Sequence, residues 1–211
     1  MIFLTSSVAG VADHLFANYL EDKKYSTVLF IETAAEPELT GDEEDDMWFY
    51  DDLQSLKRQG CHVNRFSVTG KSREEIKHHI DEHDIIYMSG GNTAYLLQQL
   101  QNTDAVSLVC DSVRAGKTYI GTSAGSIIAG PKIPMYLEDD EQIKLDDYTG
   151  FRFTNIIPVP HWGADHFKDV YLEGRIQKAF TDDEPAFLLL NDHQYIVVAD
   201  DGSLQVVFVG E

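Results

Sequence analysis

The stretch KTYIGTSAGSIIAG, Lys117 to Gly130, decides the fold. It begins as a short β-branched run, which reads as a strand. Gly121-Thr122-Ser123-Ala124-Gly125 then sets a serine between two glycines. A strand that turns abruptly into a helix needs small residues on both sides of the turn. A serine at the apex points its hydroxyl away from the backbone, and Gly-x-Ser-x-Gly is the signature of such a nucleophile elbow. The same residues would also suit a plain Ser/Gly loop, so the reading depends on partners elsewhere in the chain.

Outward from this stretch, β-rich runs alternate with helical patterns. MIFLTS, STVLFIET, HVNRFSV and DIIYMSG precede KTYIGTS as strands. Between them VADHLFANYLEDK, DDMWFYDDLQSLKRQG, SREEIKHHIDEH and TAYLLQQLQ…LVCDSVRAG carry apolar residues at helical spacing. Such alternation predicts an α/β fold with a mostly parallel sheet and helices on both faces. Binding residues should gather at the carboxyl ends of the strands. The tail, AFLLLNDHQYIVVADDGSLQVVFVG, consists of strand runs broken at Asn191-Asp192 and Asp201-Gly202. Both breaks are turn chemistry and predict an antiparallel C-terminal edge. No repeat or linker interrupts the chain, so residues 1–211 read as a single domain.

Composition limits the function. The chain has 211 residues, 43% of them hydrophobic, enough for a sizeable core. Its formal charge of −20 repels phosphate backbones and anionic membrane surfaces. No apolar stretch approaches the roughly 20 residues needed to span a bilayer, and MIFLTSSVAG lacks a basic leader. A cytoplasmic chain with no nucleic-acid or membrane partner is expected. Cys61 and Cys110 form neither a disulfide framework nor a zinc spacing and read as packing residues. His62, His78, His79 and His83 read as surface residues. The acidic run GDEEDDMWFYDD reads as a solvated helix start.

A serine nucleophile needs a base, an orienting carboxylate and donors for the oxyanion. IIYMSGGNTAYLL ends a strand in Gly90-Gly91 and opens a helix at Asn92. Glycines there let backbone N–H groups face a ligand, so Gly90 and Asn92 are candidate substrate contacts. An oxyanion hole built from the Gly91 and Ala124 N–H groups explains both glycine turns together. NIIPVPHWGADHF places His161 at a strand end, with His166 as the rival base. Glu138, Asp139 and Asp140 are the candidate acids, with Asp165 as an outsider. Local reasoning does not choose among them.

Taken together, FIETAAEP, DIIYMSGGNTAYLLQQL, GKTYIGTSAGSIIAGP and IIPVPHWGADHF resemble the peptidase E family. That family includes the aspartyl dipeptidases and, more distantly, the cyanophycinases. The resemblance covers nearly the whole chain. It implies a flavodoxin-like or class I glutamine-amidotransferase-like fold and release of N-terminal aspartate from short peptides. It carries the nucleophile onto Ser123, the base onto His161, the acid onto Glu138 and the oxyanion hole onto Gly91 and Ala124. Aspartate specificity requires a cation, and Arg175 is the nearest arginine to the position implied. No metal or cofactor is implied. The resemblance and the apolar tail strands are compatible with a homodimer. The competing readings are an esterase, a cyanophycinase-like hydrolase and a non-catalytic relative on the same fold.

Overall fold

The computed structural model describes residues 1–23, 26–134, 137, 142–180 and 185–210. Five strands run parallel: β1 (Ile2–Thr5), β2 (Thr27–Ile31), β3 (His62–Phe66), β4 (Ile85–Met88) and β5 (Thr118–Thr122). With β8 (Gln194–Val198) and β9 (Leu204–Phe208) they form one sheet in the order β3-β2-β4-β5-β1-β8-β9. The last two strands are antiparallel, as the tail predicts. The first tail run behaves differently. As β7 (Phe187–Leu189) it pairs in parallel with β6 (Ile157–Val159) in a separate two-stranded sheet.

The central strands are continuous apolar runs because both of their faces are buried. Successive side chains point to opposite faces. Phe3, Val28, Phe30, Ile85, Tyr87 and Ile120 therefore pack on one side. Helices α1 (Ala12–Tyr19) and α2 (Met47–Arg58) cover that side with Leu15, Phe16, Phe49, Leu53 and Leu56. Leu4, Leu29, Ile31, Ile86, Met88 and Tyr119 face the other way. There they meet α3 (Arg73–Glu82), α4 (Thr93–Asn102), α5 (Ala105–Arg114) and α6 (Ala124–Ile127). Both cysteines are buried.

Local chemistry sets the helix starts. Ser72 and Glu75 form a capping box on α3, and Asn92 accepts the Tyr95 N–H at 2.7 Å to start α4. The single helical pattern from Thr93 to Arg114 is broken into α4 and α5, because Asp104 takes a left-handed conformation at φ 53°. His83 departs from the expected surface position. It is buried, with its Nε2 on Asn64 at 2.7 Å and its Nδ1 on the His79 carbonyl at 2.6 Å.

At Gly125, α6 crosses β4 so closely that a Cβ would lie 2.2 Å from the Met88 carbonyl oxygen. A methyl group there must displace backbone, which costs about 1–3 kcal/mol or more. Gly125→Ala is expected to lower the melting temperature by about 5 °C or more. An unchanged thermal melt would refute the close approach.

Candidate active site

Ser123 stands between β5 and α6 with φ 48° and ψ −108°. A non-glycine residue at positive φ stores strain of about 1–3 kcal/mol, and such strain gathers at functional sites. The Ser123 N–H donates to the Thr5 carbonyl at 3.0 Å. Ser126, one turn on, donates its hydroxyl to the same carbonyl at 2.7 Å and to the Gly121 carbonyl at 2.8 Å. The elbow is thereby tied to the carboxyl end of β1.

His161 is the second strained residue, at φ 59°. Its N–H donates to Ser6 Oγ at 2.7 Å, and Ser6 Oγ donates in turn to the Leu190 carbonyl at 2.7 Å. Serine and histidine thus rest on adjacent residues of one strand end, Thr5 and Ser6. The imidazole stacks on Phe167, with centroids 4.8 Å apart and planes 5° apart. The Ser123 and His161 side chains share no hydrogen bond in this structure.

The carboxylate beside His161 is Asp192, with Nδ1 to Oδ1 at 2.8 Å. A carboxylate only accepts, so Nδ1 carries the hydrogen, which leaves Nε2 as the acceptor of the neutral imidazole. This hydrogen bond holds the Asp192 carboxyl below its ordinary pKa, against an opposing effect of partial burial. In the sequence, Asp192 reads only as part of the Asn191-Asp192 turn. Its location follows from the parallel pairing of β6 and β7, with Val159 opposite Leu189. His161 and Asp192 leave the same end of that pair, two and three residues past the register partners. Glu138, Asp139 and Asp140 lie outside the described residues. Asp165 heads the short helical turn Asp165–Phe167. His166 lies with its ring 6.5 Å from that of His161, and the bond to Asp192 is made by His161.

The glycine turn stands beside the elbow. The Gly125 N–H donates to the Ser89 carbonyl at 3.2 Å, which ties the two loops together. Gly91 has φ 124°, and a Cβ there would lie 2.2 Å from the Ala34 carbonyl oxygen. Neither Gly91 N–H nor Ala124 N–H donates to another described residue. Asn92 spends its amide oxygen on the α4 cap. Arg175 lies on the helical run 165–179, whose middle, Tyr171–Arg175, is a π-helical turn. Its guanidinium carbon is 5.3 Å from the Tyr171 ring centre and 5.9 Å from that of Phe167, the ring stacked on His161. Among the described residues no group of three or more His, Cys, Asp or Glu could hold a metal ion. None of the described helices is long and apolar enough to cross a membrane.

Sheet order, elbow and His–Asp pair define a class: a parallel α/β scaffold that presents a serine, a histidine and a carboxylate at its strand ends. The chain belongs to peptidase family S51, whose family model matches residues 2–206. It is 31% identical over 207 residues to an uncharacterized peptidase of Listeria innocua, covering 95% of this chain and 93% of the relative. A peptidase E of Actinobacillus pleuropneumoniae is 28% identical over 151 residues, 72% of this chain and 59% of that protein. The fold matches the crystal structure of a Listeria monocytogenes EGD-e protein named a "putative peptidase E protein". The TM-score is 0.84 at 26% identity, over 99% of this chain and 98% of that one. Family membership makes the chain a peptidase.

Asp52 of α2 is a buried acid close to the site. Its Oδ2 accepts from the Tyr87 hydroxyl at 2.7 Å. Its Oδ1 accepts from the Ala9 N–H at 3.0 Å and the Ser7 hydroxyl at 3.3 Å. Burial outweighs these donors and pushes its carboxyl up to about 6. The folded chain therefore holds this proton between about pH 4 and pH 6, where the unfolded chain has released it. Stability contributed by protonated Asp52 is complete below that window and is lost as pH rises through it. Asn resembles the neutral acid, so the stability of wild type relative to Asp52→Asn should fall between pH 4 and pH 6 and level off above. Urea melts at pH 4, 6 and 7.5 measure this, and a constant difference would refute it.

Proposed function

We propose that this peptidase is a serine exopeptidase that releases N-terminal aspartate from short peptides through an acyl-enzyme. The observation that carries the reading is the hydrogen-bonded His161–Asp192 pair anchored next to the strained Ser123 on one strand end. His161 Nε2 takes the Ser123 proton as Oγ attacks the scissile carbonyl. Negative charge on the carbonyl oxygen falls to the N–H groups of Gly91 and Ala124. The C–N bond then breaks, and His161 gives its proton to the leaving amine. Water, deprotonated by His161, attacks the acyl-enzyme; the ester C–O bond breaks, His161 returns that proton to Ser123 Oγ, and the acid is released. Asp192 holds the productive tautomer and balances the imidazolium. The mechanism requires the Ser123–His161 hydrogen bond to form with the substrate in place.

Aspartate preference is the finer part of the proposal. It rests on Arg175, whose guanidinium is held against Tyr171 and Phe167 and suits a side-chain carboxylate. The overall charge of −20 gives an acidic peptide no long-range attraction, so selection falls to this short-range contact.

Two experiments test the reading. Asp-, Glu-, Asn- and Ala-X dipeptides and an Asp-p-nitroanilide are assayed with Ser123→Ala as control. Cleavage is expected for the aspartyl substrates alone and should vanish in the variant. Cleavage of the others would keep the serine and discard the specificity. In the second, Asp192→Asn should lower kcat by about 10²–10⁴-fold with folding intact, while Glu138→Gln stays near wild type. The reverse pattern would move the acid to Glu138.

A further inference from the structure

One residue at the mouth of the site comes from neither the elbow nor the histidine loop. Trp48 sits in the first turn of α2, and 40% of its surface is exposed. A Cβ built on Gly90 would lie 3.6 Å from Trp48 Cζ3, 3.2 Å from Ser123 Cβ and 3.9 Å from Ser123 Oγ. Gly90 therefore stands between indole and nucleophile. Its missing side chain leaves a gap about one small group wide, with the indole as the far wall.

The helix start that carries it is held in place. Phe49, the next residue, is buried and meets Phe30 edge to face at 5.3 Å. Two buried carboxylates fix the helix. Asp46 accepts from the Thr40 N–H at 2.9 Å, the Thr40 hydroxyl at 3.1 Å and the Gly41 N–H at 2.9 Å. Asp52, further along the helix, is held by Tyr87, Ala9 and Ser7. These contacts fix the backbone position from which the Trp48 ring projects.

Sheet order says which part of a substrate meets it. Ser123 directly follows β5, which lies between β4 and β1. Gly90 follows β4 on one flank, and Ser6, which holds His161, follows β1 on the other. In acyl transfer the leaving amine must lie on the histidine flank, because His161 protonates it. The oxyanion is taken by the glycine and elbow N–H groups. The remaining substituent of the reacting carbon, the acyl side, shares the β4 flank with the oxyanion and reaches Trp48 across Gly90, where no side chain intervenes.

We propose that Trp48 is a specificity-determining residue that limits the size of the acyl group, admitting short acyl residues of the aspartate or asparagine class and excluding longer ones. The inference rests on the acyl-enzyme reading above, but not on aspartate as the substrate. It gives a steric reason for short side chains that is independent of Arg175.

The test uses p-nitrophenyl acetate and p-nitrophenyl octanoate, with p-nitrophenol release followed for wild type, Trp48→Ala and Trp48→Phe. The octanoate-to-acetate ratio of kcat/KM should rise at least about tenfold in Trp48→Ala, since even one methylene in a fitted pocket changes rates by about 10–200-fold. Trp48→Phe should stay near the wild-type ratio. A ratio unchanged in Trp48→Ala would overturn the proposal, as would a wild-type enzyme that already prefers octanoate. A general loss of packing would lower both rates together and leave the ratio where it was. Failure of the dipeptide panel with ester turnover intact would reject the peptide substrate and leave the Trp48 result standing.

Discussion

The carboxyl end of β1 is the constraint on which the site depends. The Thr5 carbonyl receives the Ser123 N–H and the Ser126 hydroxyl, and Ser6 Oγ links the His161 N–H to the Leu190 carbonyl. Ser123 and His161 both hold positive φ, which costs free energy at each. Hydrogen bonds to buried partners offset that cost, because breaking them would leave buried polar groups unsatisfied. Thr5 and Ser6 are both fully buried, so water cannot substitute for either bond. The two strained residues come from distant parts of the chain and are tied to adjacent residues at the end of β1, Thr5 and Ser6.

Around this anchor, two carboxylates show how environment divides like groups. Asp192 accepts a hydrogen bond from His161 and is partly exposed, and its carboxyl is held low. Asp52 has three hydrogen-bond donors, yet burial pushes its carboxyl up. One is set to remain an anion beside an imidazole. The other fastens α2 to the loop at Ser7–Ala9, next to the β1 end. Position in the fold, and not residue type, makes the difference.

The glycines complete the arrangement by removing bulk where backbones cross. Gly125 allows α6 to pass over β4, and Gly91 allows the turn after β4 to lie against Ala34. Both crossings bring the Gly90–Gly91 turn to the serine, with Trp48 behind it. The same close approach that builds the turn thus leaves little room beside Oγ.

Much of this was legible in the chain itself. Apolar runs alternating with helical periodicity specify a sheet buried on both faces, since periodicity reports local burial. Gly-x-Ser-x-Gly and the Gly-Gly-Asn turn marked Ser123, Gly91 and Ala124, because tight backbone crossings demand small residues at the crossing itself. His161 was legible as a histidine just past a strand. Asp192 was not, and neither was Trp48. Nothing local separates Asn191-Asp192 from an ordinary turn, or Trp48 from the aromatic side of an amphipathic helix. Their roles come from long-range pairings: β6 beside β7, and α2 packed over the β4 side of the sheet. A sequence pattern records what each residue needs from its neighbours along the chain. Which strand ends finally lie side by side is settled only when the sheet forms.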